Sequence, residues 1–226
     1  MQAKLLFKTL RLLRLAAGLI LLAAFSWELL HGYERHFSTG YLSIQFIVCL
    51  FFLFDFFVGL RFAPRKAPYW AAHWPQFLLG IPWLHLMRWC GCPLSHEWAV
   101  AVGILPVLLL LLAAWYLISW IDSLRVHRLF LTYLWGVLLF TYLSALLFYD
   151  FEALINQQLH GFGNALWWAG LNLSTAGAPI VPVTVIGKIL SVLLPVAGML
   201  FLPIFTTYIL QYYNRMHGGP QTPPNA

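Results

Sequence analysis

The sequence predicts an all-α membrane protein with six transmembrane helices and a re-entrant segment between the fifth and the sixth. Charged residues are 9% of the 226 positions and apolar residues 62%, whereas an ordinary globular domain is about 25% charged. One soluble core of this size cannot bury so much apolar surface, so much of it faces lipid. The few charges sit in short clusters between long uncharged runs, the distribution that loop charges take in membrane proteins. That distribution also removes nucleic acid as the reason for the formal charge of +6. Low polarity excludes a disordered chain.

The first span covers residues 15–27, with apolar neighbours from 10 to 30, enough to cross about 30 Å of hydrocarbon. It reads as an uncleaved helix: basic residues precede it, but no small-x-small cleavage site follows. The second, 37–60, is interrupted only by Asp55. The third, 67–87, is broken up by Pro68, His73, Pro75, Pro82 and His85. The fourth, 98–121, and the fifth, 129–149, carry no charge, and 189–211 is the last. Between the last two, residues 150–188 are rich in Gly, Asn, Ser, Thr and Pro around an apolar centre, 163–173, too short to span. Such a stretch reads as non-helical backbone held within the membrane and shielded by protein.

With the amino terminus inside, ten basic residues are cytoplasmic and only Arg35, Arg88 and Lys188 lie outside, so both termini are expected in the cytoplasm. Asp150 and Glu152 then face outward beside the re-entrant segment. The tail GGPQTPPNA reads as a short disordered end with no room for a cytosolic domain. No internal repeat is visible, which argues against an inverted-repeat transporter. Trp27, Tyr41, Trp98, Trp120 and Tyr149 at span ends form an aromatic belt. Cys90, Cys92 and His96 read as loop residues, because a zinc site needs a fourth ligand. No metal or cofactor is expected. No acid pair or nucleophile with its base converges on one membrane level, so the chain does not read as an enzyme.

One stretch is specific. From Asn164 the chain reads NALWWAGLNLSTAGAPIVPVTVIGKILSVLLPVAGMLFLP. It closely resembles the pore of the voltage-gated-like potassium channel superfamily over about forty residues. There a pore helix with a Trp-Trp pair leads into T-x-T-T-V-G-Y-G-D, a stretch like I-V-P-V-T-x-x-G-K, and an inner helix with a central Gly and a later Pro. Trp167 and Trp168 match the aromatic pair, and Ile180, Val181, Pro182, Val183, Thr184, Gly187 and Lys188 match the post-filter string. Gly198 and Pro203 match the inner helix, where the resemblance implies a hinge. It further implies a homotetramer in the bilayer, with Asp150 and Glu152 at the outer mouth and a permeant monovalent cation, potassium or sodium. The implied domains are a sensor-like four-helix domain over 1–126, a pore domain over 127–214 and a tail over 215–226.

The filter departs from that pattern. Its run is Ser174, Thr175, Ala176, Gly177, Ala178 and Pro179. Potassium filters use rings of backbone carbonyls from four T-V-G-Y-G loops. Here Ala178 replaces the bracing Tyr, and Pro179 alone replaces the second Gly and the Asp. Proline fixes φ near −65° and pushes Ala178 toward extended backbone. The expectation is a shorter, wider filter with one or two coordinating rings near Ser174, Thr175 and Ala176, and weak selectivity. Cyclic-nucleotide-gated channels are similar in lacking the Tyr-Gly pair, but no cyclic-nucleotide domain is expected here.

The first half resembles a degenerate voltage sensor. FDFFVGLR, 54–61, looks like its acidic charge-transfer position, with Asp55 as the acid. An intramembrane carboxylate is a functional candidate by default. The alternatives are a structural partner for Arg61 or Arg65, or a protonated group. Gln76 stands where the third helix of a sensor has an acid, and the fourth span lacks sensor arginines, with Arg125 and Arg128 at its inner boundary. Steep voltage dependence is therefore not expected. Two functional readings stay open: a cation-conducting pore subunit, and a non-conducting structural or regulatory subunit of the same fold.

Overall fold

The computed structural model describes residues 2–31, 37–63, 65–91, 96–109, 111–113, 115 and 125–216. The chain divides into two compact units, Met1–Leu117 and Ile118–Ala226. Among the described residues the secondary structure is all helical. Four helices are long and apolar enough to cross a membrane: Leu13–His31, Thr39–Arg61, Phe130–Glu152 and Val185–Asn214. This is an integral membrane protein.

The first unit contains α1 (Gln2–His31), α2 (Thr39–Phe62), α3 (Lys66–Gly80), α4 (Trp83–Trp89) and α5 (His96–Val107). Ser38 caps α2 by accepting from the Tyr41 amide at 3.2 Å. Its own N–H and hydroxyl donate to the Glu28 carboxylate, so α1 anchors the start of α2. The core joins Leu21 and Phe25 of α1 to Tyr41, Phe52 and Phe56 of α2 and to Val100 of α5. The expected third span is instead two helices. Ile81 is extended at φ −72°, ψ 129°, because a residue before proline is driven out of the helical region and Pro82 has no N–H to continue the ladder. Of the expected fourth span, 98–121, the described part includes the helix α5, which ends at Val107; residues 110, 114 and 116–124 lie outside the described residues, as do Arg35, Cys92 and the tail from Gly218.

The second unit is α6 (Arg125–Glu152), α7 (Phe162–Leu173) and α8 (Val185–Met216), each packed on the other two. The 12 residues of α7 extend about 18 Å, well short of a bilayer. Its buried residues are Ala165, Trp168, Ala169 and Asn172, one stripe at helical spacing. The small side chains of Ala165, Ala169 and, on α6, Ala145 share one buried cluster and favour close approach of the backbones. Phe148, Leu159, Leu190 and Leu194 complete the core.

Candidate functional site

The site is built around the end of α7 and the loop beyond it. Ser174 ends the helix at φ −75°, ψ 0°, and Thr175 is left-handed at φ 61°. The Thr175 amide returns to the Asn172 carbonyl at 3.0 Å and the Ala176 amide to the Leu171 carbonyl at 3.1 Å. These paired bonds form a Schellman cap, a motif that favours glycine at the position held here by Thr175. Gly177 is also left-handed at φ 78°. Ser174, Thr175, Ala176 and Gly177 are all exposed. Their run is thus a capped turn rather than an extended ladder, and it presents backbone beyond the carboxyl end of α7.

After Gly177 the chain turns inward. Ala178 and Ile180 pack on the core of the unit. Pro179 is exposed. The Trp pair divides its duties. Trp168 is 1% exposed, stacks on Phe148 with centroids 3.7 Å apart, and donates its indole N–H to the Ile180 carbonyl at 3.1 Å. Trp167 is 66% exposed.

Glu152, expected beside Asp150 at the outer mouth, is a buried group in this structure. It is 0% exposed and braces the loop from inside. One carboxylate oxygen accepts from the Val183 amide at 2.8 Å, the Thr184 amide at 2.6 Å and the Thr184 hydroxyl at 2.7 Å. The other accepts from the Asn156 side chain at 2.9 Å. Asn156 also donates to the Val181 carbonyl at 2.9 Å. An acceptor-only group surrounded by donors is well matched to an ionised carboxylate. It lies at the amino end of α8, where negative charge is favoured. Thr184 caps that end by accepting from the Gly187 amide at 3.0 Å. A Cβ on Gly187 would lie 2.7 Å from the Glu152 carboxylate, which explains the glycine. Asp150 is half-buried.

Gly198 also has a packing role. A Cβ there would lie 1.8 Å from the Leu173 carbonyl oxygen, so the missing side chain lets α8 cross the end of α7. α8 is assigned as one helix through Pro195, Gly198 and Pro203. Tyr133 of α6 donates to the Ala197 carbonyl at 2.6 Å. In the other unit, Asp55 is 3% exposed, and its partner is neither Arg61 nor Arg65. It forms a two-point ion pair with Arg14, at 2.7 and 2.8 Å. The Gln76 amide donates to it at 2.9 Å.

Residues 130–215 match a family model described as Ion channel. The matched segment takes in most of α6 and all of α7, the loop and nearly all of α8. It supports a channel-like protein. The search for curated relatives found no significant match.

Sequence patterns alone did not reveal the roles of Asn156, Thr184 and Arg14. Two signals were present. Glu152 and Asn156 are four residues apart at the end of an apolar run, and Thr184 precedes a helical pattern as an N-cap.

Proposed function

We propose that this chain is the pore-forming subunit of a homotetrameric, potassium-channel-like cation channel that conducts passively down the ion gradient. Potassium and sodium are the permeant ions, selectivity is weak, and voltage dependence is shallow. The single observation behind this reading is the exposed turn Ser174–Gly177, carried on a short helix between two spanning helices and held from behind by Glu152 and Trp168. Four such turns around an axis would enclose a path lined by backbone carbonyls, and one chain supplies only one turn.

In this reading α7 and its loop re-enter the membrane, and residues 127–214 are the pore domain. The Schellman cap uses the Thr175 and Ala176 amides and leaves a turn too short for a four-site ladder. One or two coordinating rings would leave the ion partly hydrated, the physical source of weak selectivity. Exposed Val185, Ile189, Val192, Val196 and Met199 run along α8 at helical spacing, an apolar strip suited to partner subunits and lipid. Gly198 and Pro203 lie in the part of α8 that would move on gating. Both termini would be cytoplasmic, by the distribution of basic residues.

Purified protein in planar bilayers, with potassium on one side and sodium on the other, tests the proposal. A macroscopic current reversing near zero is expected. Reversal near the potassium potential would refute weak selectivity. Silence from a proven tetramer would favour the non-conducting subunit, a reading to which the capped turn also lends itself.

A further inference from the structure

The α2–α3 corner carries an unbalanced charge beside an apolar row. Arg61 lies at the end of the candidate span Thr39–Arg61, which places it at the depth where the chain leaves the hydrocarbon. Arg65 and Lys66 come next, and all three side chains are exposed. Among the described side chains of this unit the carboxylates are Glu28 and Asp55, engaged by Ser38 and by Arg14. Neither neutralises the corner. Four residues apart along α3 stand Lys66, Trp70, Trp74 and Leu78, all exposed. Phe56 packs edge-on against the Trp70 ring at 5.3 Å, which holds that indole in place.

The order of this row is that of a bilayer half: cation, indole, indole, aliphatic. Indoles favour the headgroup level and leucine the acyl chains, while lysine keeps its ammonium in the polar layer. At 15 residues α3 cannot cross the bilayer, so its exposed row stays within one leaflet. The charge suits phosphate, and the row beneath suits the acyl chains of the same molecule. An acidic peptide would satisfy the cations and leave Trp74 and Leu78 uncovered.

We infer that the α2–α3 corner is a binding site for an anionic phospholipid, with Arg61, Arg65 and Lys66 on the headgroup phosphate, Trp70 and Trp74 at the boundary between headgroup and acyl chains, and Leu78 along the acyl chains. The site belongs to the first unit and does not depend on conduction.

Native mass spectrometry of the full chain in neutral detergent reads the result as retained adducts of dioctanoyl phosphatidylglycerol, with dioctanoyl phosphatidylcholine as the neutral control. Preferential retention of phosphatidylglycerol is expected, weakening as salt rises. The triple variant R61Q/R65Q/K66Q is expected to bind it about a hundredfold more weakly. Equal retention of the two lipids would overturn the site, as would a folded triple variant that binds like the parent. If that variant does not fold, the salt titration of the parent decides, and salt-insensitive binding refutes the assignment. Displacement of phosphatidylglycerol by polyglutamate at equal charge concentration would assign the corner to an acidic polypeptide instead.

Discussion

Truncating Glu152 removes the acceptor for three backbone and side-chain donors on Val183 and Thr184 and for the Asn156 amide. Buried donors without a partner are costly, and hydrogen bonds to a charged acceptor are the stronger kind. Glu152→Ala is therefore expected to lower stability by about 3 kcal/mol, read as the midpoint of denaturant unfolding in detergent. Glu152→Gln keeps one acceptor oxygen but turns an amide toward donors, so a smaller loss is expected. Equal behaviour of glutamine and parent would show that the charge is immaterial. Thr175 makes the opposite case. A β-branched residue at φ 61° is strained relative to glycine by about 1 kcal/mol. Thr175→Gly should raise the unfolding midpoint while changing permeation, since it frees the backbone that would carry the proposed carbonyl ring. A stabilised protein with unaltered ion selectivity would show that the threonine has no part in the path.

Elements in this fold are joined by a few polar ties set in apolar faces, and the Arg14–Asp55 pair is the plainest. It links α1 to α2, with Gln76 of α3 as third partner. Removing one member of a buried pair leaves a charge without its counter-ion, at a cost of about 3–5 kcal/mol. Arg14→Gln is expected to destabilise on that scale, and Arg14→Gln combined with Asp55→Asn to regain part of the loss. A double-mutant cycle measures the coupling, and additive losses would refute the tie. Composition alone located the long helices α2, α6 and α8, since runs without charge leave few alternatives to a membrane span. It did not locate the partner of Asp55. Arg14 lies 41 residues away in sequence, and period and spacing carry no record of which helices meet. The break at Pro82 was legible as a weakness of the third span. That it divides two helices was not, because prolines at Pro75 and Pro195 are accommodated inside helices.

At the scale of the whole molecule, the distribution of charge decides how the membrane potential can act on it. Moving one elementary charge through the field changes the energy by about 2.3 kcal/mol per 100 mV. A steep response needs several charges that move without being neutralised. Residues 98–121 contain no acid or base at all. Among the described residues of the first unit, half-buried Arg14 and buried Asp55 are fixed to each other, and a pair moving together carries no net charge. The motif of the second unit was readable because the post-filter string is local in sequence, whereas the Schellman cap and the carboxylate behind it depend on backbone angles and on a contact across 32 residues. Neither feature introduces a mobile charge. If the chain conducts, its conductance is expected to vary by less than about twofold across roughly 100 mV on either side of zero, measured with voltage steps in symmetrical potassium chloride. A steep sigmoid would require a mobile charge, with Arg125 and Arg128 the first positions to neutralise. If neutralising both flattened the curve, the reading of this chain as insensitive to voltage would be wrong.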